Sequence, residues 1–140
     1  MNDELIEQLL EKNYFVVDLL PKQVPSDSKG EFFAVERFYL TEPQLSEMRK
    51  RFMNIILKLF CYFPMKVRDL TSGNDICSPE PEDIAALVYS DPHDILILIE
   101  ETLITLNKDD ICMTMYSPSE SILTLTKQLA YAEGMFLWEP

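Results

Sequence analysis

The sequence predicts an α+β fold, a twisted and mostly antiparallel sheet of about six or seven strands with about four helices packed on it, as one domain over residues 1–140. Three observations carry this expectation. Segments with the two-residue alternation of strands come in runs broken by single helical segments, unlike the regular alternation of a parallel sheet. The helical segments open on Ser or Thr followed closely by Pro, the residues that start helices. The chain has 140 residues and is 47% hydrophobic, so it can bury roughly two-thirds of its unfolded surface in one core without staples. That content excludes general disorder.

Taken in order, Asp3 to Asn13 reads as a helix. Leu5, Ile6, Leu9 and Leu10 make its apolar stripe, and Asp3 and Glu4 suit its positive end. Tyr14–Leu20 is β-branched and aromatic, as a strand is. Pro21–Gly30 is turn chemistry and predicts a surface loop. Glu31–Leu40 (EFFAVERFYL) alternates with both faces largely apolar, which predicts a central strand covered on both sides. Thr41 is placed as an N-cap, with Gln44 at the capping-box position and Pro43 in the first turn. The helix it starts is the longest and runs to about Phe60. Leu45, Met48, Phe52, Ile55, Ile56 and Leu59 mark its buried face. Arg49, Lys50, Arg51 and Lys58 read as a solvated basic patch. Met65–Leu70 alternates as an edge or outer strand, and Thr71–Ser78 is a polar loop.

Ser78 is read as the cap of a third helix with Pro79 at its first position. Ile84, Leu87 and Val88 are its buried side, and Asp91-Pro92 stops it. Ile95–Ile99, Leu103–Leu106 and Ile111–Tyr116 form a meander of short strands, with Asn107–Asp110 as a hairpin turn. The alternative merges residues 95–106 into one long strand. The stretch from Asp109 to Trp138 then reads as strand, helix and strand. Ser117 is placed as the N-cap, Pro118 at the first helical position and Glu120 in a capping box. Ile122, Leu125, Leu129 and Ala132 recur at helical spacing, Gly134 follows as a C-cap, and Met135–Trp138 close the fold as a buried strand. Some parallel pairing around this terminal unit is allowed for.

Charge is the strongest compositional fact. The net charge is −12. Residues 1–70 carry 11 acidic and 10 basic side chains, whereas residues 71–140 carry 13 acidic and 2 basic. Such a half repels nucleic acid, a polyanion bound through cationic contacts. It attracts a basic partner and speeds the encounter. The N-terminus is acidic and amphipathic rather than a positively charged leader, and no run approaches the roughly 20 apolar residues of a membrane span. These features, with no sequon, predict a cytosolic protein.

No residue set has a catalytic, cofactor or metal signature. Cys61, Cys77 and Cys112 have neither zinc nor redox spacing and read as reduced thiols, two in the core and one in a loop. His93, the only histidine, reads as an exposed turn residue without a nucleophile to serve. Three glycines leave no phosphate-binding loop. The acidic residues Glu80, Glu82, Asp83, Asp91 and Asp94 lack the glycine turn of a calcium loop. Most acidic clusters of this kind are solvated faces. Here they are also the candidate partner-binding set, together with Asp109 and Asp110.

Across its length the chain resembles the small acidic immunity proteins of bacterial polymorphic-toxin and contact-dependent inhibition systems. The resemblance lies in Tyr14–Pro25 (YFVVDLLPKQVP), Phe32–Leu40 and the ending YSPSE…LAYAEGMFLWEP. It implies no catalytic residue. It implies a non-enzymatic binding protein that covers the basic active-site groove of a cognate, nuclease-like toxin with an acidic face and shuts out its substrate. The competing classes are a small cytosolic enzyme using a cysteine or an acidic pair, marked by a deep pocket with convergent ionisable groups, and a homo-oligomeric structural module.

Overall fold

The alternation in residues 95–116 becomes the middle of a seven-stranded sheet in the computed structural model, which describes residues 1–140. The strands are β1 (Tyr14–Asp18), β2 (Lys66–Asp69), β3 (Asp75–Ile76), β4 (Ile95–Ile99), β5 (Thr102–Leu106), β6 (Met113–Tyr116) and β7 (Phe136–Trp138). Their spatial order is β3-β2-β4-β5-β6-β1-β7, and every pairing is antiparallel. No parallel pairing occurs around the terminal unit. Residues 95–106 are two strands, because Glu100 takes φ +54° and turns the chain so that Ile99 faces Thr102.

Five helices accompany the sheet: α1 (Asp3–Leu9), α2 (Phe32–Tyr39), α3 (Gln44–Phe60), α4 (Pro81–Ala85) and α5 (Glu120–Ala132). A single π turn, Ala86–Ser90, extends α4. Period-two alternation gives the sheet two faces. One face presents Val17, Val67, Ile97, Ile104, Met113 and Met115, all buried against Phe52, Ile55 and Ile56 of α3, Ile84 of α4 and Ile122 of α5. The other face is covered in part by α1, whose Ile6 and Leu9 pack on Leu98 and Leu103. The remainder of that second face, at β1 and β7, lies open beside α2.

The largest departure from the expected elements is Glu31–Leu40. The predicted central strand is α2, an eight-residue helix with no buried residue. The alternation that suggested a strand is of apolar residues on every side. Read at helical spacing, Phe32, Glu36 and Tyr39 are half-buried while Phe33, Arg37 and Leu40 are exposed.

Three predicted helix starts lie two residues later than expected. Thr41 bonds back to the Arg37 carbonyl at 2.8 Å, so it ends α2 and does not start α3. Glu42 instead accepts from Ser46 N–H at 3.3 Å in the first turn of α3. Glu80 rather than Ser78 begins α4, its N–H donating to the Asp83 carboxylate at 2.8 Å with Pro81 at the first position. Ser117 has φ +53° and donates its N–H to the Asn13 carbonyl at 2.9 Å, extending the β1–β6 pairing. Ser119 caps α5 by accepting from Ile122 N–H at 3.3 Å. The C-cap reading of Gly134 holds: its φ is +72°, and the Met135 N–H returns to the Ala130 carbonyl at 2.8 Å.

Three side-chain expectations also change. Arg49 is 1% exposed, not part of a solvated patch. His93 is half-buried, with Nδ1 3.0 Å from Asp69 Oδ2. Cys61 and Cys77 are exposed and Cys112 is half-buried, so no cysteine belongs to the buried core. The predicted polar loop after β2 contains the short strand β3. Gly73, at φ +78°, makes its hairpin turn, with the Thr71 N–H and Ser72 hydroxyl donating to the Asp69 carboxylate.

Candidate functional site: an acidic sheet end and its cleft

The seven acidic residues expected to bind a partner fall in three places. Glu80, Glu82 and Asp83 stand at the start of α4, where they favour the helix dipole and Asp83 is engaged as a cap. Asp91 and Asp94 follow the π turn at the other end of the same helical segment. Asp109 and Asp110 occupy the β5–β6 turn. The structure brings Asp94 to that turn. Its Oδ1 accepts the Lys108 N–H at 2.8 Å, and its carbonyl accepts the Leu70 N–H at 2.9 Å. Asp91 pairs instead with His93, Nε2 lying 3.5 Å from its carboxylate.

Arg49 lies behind this end of the sheet. Its Nε donates to the Val88 carbonyl at 2.8 Å and its Nη1 to the Asn107 carbonyl at 2.7 Å. Burial lowers the guanidinium pKa, and the charges of Asp94, Asp110 and Asp109 pull it back up. No carboxylate of this group is within ion-pair distance of a cation. Asp94, Asp109 and Asp110 are therefore a negative end without an ion-pair partner, and the Arg49 behind them is sealed in the core.

Asp110 also opens onto a cleft of about 290 Å³ on the second face of the sheet. β1 contributes Val16 and Asp18, which share a face by strand alternation, and β7 contributes Trp138 opposite Val16. Leu20 and Val24 come from the loop after β1, and Phe32 and Glu36 from one face of α2. Ile111 and Cys112 complete the wall beside Asp110. The result is an apolar slot with three carboxylates, Asp18, Glu36 and Asp110.

The electrostatics of the slot follow from that arrangement. Burial raises the Asp18 pKa, and the charges of Asp110 and Glu36 add to the rise. The N–H groups of Leu19, at 2.6 Å, and Leu20 oppose it. Burial pushes the Cys112 thiol far up, reinforced by Asp110, whose Oδ1 accepts from Sγ at 3.2 Å. Cys112 is thus a neutral thiol at ordinary pH, not a thiolate nucleophile. Asp110 Oδ1 also accepts the Ile111 N–H at 2.8 Å, which fixes the carboxylate at the cleft mouth. The Trp138 indole N–H is buried at this wall without an acceptor. No group of three His, Cys, Asp or Glu side chains is arranged to hold a metal ion.

Sequence reasoning found Asp110 but missed Asp18, Glu36 and Trp138. Phe32 and Glu36 share a face at strand spacing as well as at helical spacing, so the strand reading kept them together but placed them in the middle of a sheet instead of on a helix beside its open face. That i, i+4 pair was the available signal. The pairing of Val16 with Trp138, 122 residues apart in sequence, left no local signal. No helix is long and apolar enough to cross a membrane. The chain matches no known family model, and no curated protein or solved structure shows significant similarity to it.

Proposed function

We propose that the chain is a non-enzymatic binding protein that neutralises a basic protein partner, an immunity protein acting on a cognate toxin by covering its active site with an acidic face. The observation that carries this reading is the gathering of Asp94, Asp109 and Asp110 at one sheet end with no cation in ion-pair reach and Arg49 buried beneath. Asp18 and Glu36 continue that charge into the neighbouring cleft. Uncompensated carboxylates repel one another and gain most when a cationic surface meets them. The exposed aromatics of α2, Phe33 at 72% and Phe38 at 55%, supply apolar contact area beside the charge.

The test is neutralisation of the product of the adjacent open reading frame in the source bacterium. The purified chain is expected to form a complex with that product and abolish its toxicity. Reversing Asp94, Asp109 and Asp110 to Lys is expected to slow association about tenfold or more at low salt and to flatten its salt dependence. A neighbour bound at the same rate by the triple variant removes this end of the sheet from the interface.

One observation favours a second reading, a carboxylate-pair hydrolase. Asp18 and Asp110 line one cleft and the Asp18 pKa is raised, as paired acid and base groups require. The cleft wall carries no histidine or lysine, and its one thiol is held protonated. Turnover separates the readings: a carboxylate pair has a hydrolysis to lose in Asp18→Asn, whereas a binding protein has none.

A further inference from the structure

We propose that the cleft between β1, β7 and α2 receives an arginine side chain of the basic protein partner, its guanidinium lying among Asp18, Glu36 and Asp110 and its alkyl stem against Val16, Phe32 and Trp138. This rests on the function proposed above and names the contact that would anchor it.

Charge complementarity selects the occupant. Three carboxylates converge on the slot, and none of them is paired with a cation of this chain. They stand in an apolar setting, where an opposite charge gains more than it does in water. Burial raises the Asp18 pKa, and the charges of Asp110 and Glu36 add a smaller part in the same direction. An incoming cation stabilises the ionised form. No three His, Cys, Asp or Glu side chains are arranged to hold a metal ion, which favours an organic cation.

The walls distinguish among cations. Phe32 and Trp138 offer aromatic surface, and a planar guanidinium stacks on aromatic rings while donating in a fork to carboxylates. A compact ammonium does neither as well. At about 290 Å³ the slot lies just below the roughly 300–1,000 Å³ typical of drug-sized ligands, so it suits one side chain. The rim assigns that side chain to a protein. α2 flanks the slot with no buried residue and with Phe33 and Phe38 exposed, an apolar shoulder that a free amino acid leaves uncovered.

Trp138 is the only tryptophan, so its indole resonance and fluorescence report on this wall alone. The chain is titrated with N-acetyl-arginine amide and, separately, with N-acetyl-citrulline amide, its uncharged near-isostere. The expected result is a saturable shift of the Trp138 indole N–H with the arginine probe and binding at least about tenfold weaker with citrulline. The Glu36 side chain makes no hydrogen bond in the fold, and in Asp18→Asn the side-chain oxygen still accepts from Leu19. Glu36→Gln and Asp18→Asn are therefore expected to fold and to weaken arginine binding about tenfold each. An unmoved indole, or equal responses to both probes, overturns the proposal. With the partner in hand, the double variant is expected to lose at least about tenfold in affinity. Unchanged affinity overturns the cleft contact and leaves the neutralising function standing. Arginine binding by a chain that neutralises no basic partner overturns the partner as its source.

Discussion

The Arg49 Nε donates to the Val88 carbonyl at 2.8 Å, and that bond exists because of Pro92. In a continuing α-helix the Val88 carbonyl would accept from the N–H four residues on. Residue 92 is proline and has none. The helix passes into a π turn, and α3 supplies the missing donor from a side chain 39 positions earlier. Arg49→Met keeps much of the side-chain volume but leaves a buried carbonyl without a donor. It is expected to cost about 1–3 kcal/mol in urea denaturation. Its Nη2 is buried without a partner, which works the other way. An Arg49→Met protein as stable as the parent would show that this desolvation cost outweighs the bond.

Asp18 gives a prediction with a definite sign in pH. Its folded pKa is raised by burial and by Asp110 and Glu36, so folding favours the protonated form. The stability linked to it is fully present below the unfolded carboxyl pKa of about 3.9 and is lost as pH rises through the folded value. At neutral pH the charge therefore opposes the fold. Asp18→Asn removes the charge and keeps an oxygen to accept from Leu19. It is expected to melt above the parent at pH 7, with the difference closing at pH 3. A variant that melts lower at pH 7 would contradict the electrostatic account of the cleft.

Met135 and β7 close the core. Met135 is fully buried, and β7 supplies the outer partner of β1 through the Val16–Trp138 and Val17–Leu137 pairs. Met135→Ala is expected to cost about 2–5 kcal/mol as a core truncation. Removing residues 135–140 also strips the β1 edge of its ladder and is expected to be severely destabilising in thermal unfolding.

The thiols differ in reactivity by position. Cys61 and Cys77 are exposed, whereas Cys112 is half-buried with its thiol held protonated by burial and by Asp110. Iodoacetamide at pH 8 is expected to add two groups to the folded chain and a third only after denaturation. Rapid triple labelling of the native protein, counted by mass spectrometry, would place Cys112 in solvent.

The turn at Glu100 settled the split of residues 95–106 into β4 and β5. The sequence already carried the fold class, the strand segments of the β4–β6 meander and the buried stripe of α3, because residues two or four apart carry those patterns. It also determined the acidic imbalance, which needs no geometry. It did not determine α2. A segment apolar on every side satisfies both periods, so its spacing does not choose between helix and strand. Two helix starts were displaced because the expected cap belongs to the preceding element: Thr41 bonds back to the Arg37 carbonyl at the end of α2, and the Ser117 N–H extends the β1–β6 pairing to the Asn13 carbonyl. Arg49 is read as solvated on sequence grounds because arginine usually is. Its burial depends on a proline 43 residues later that leaves a carbonyl unpaired. The cleft was decided wholly by tertiary structure. Asp18, Glu36, Asp110 and Trp138 are far apart in the chain, and they converge only because β7 pairs with β1 while α2 folds back beside them.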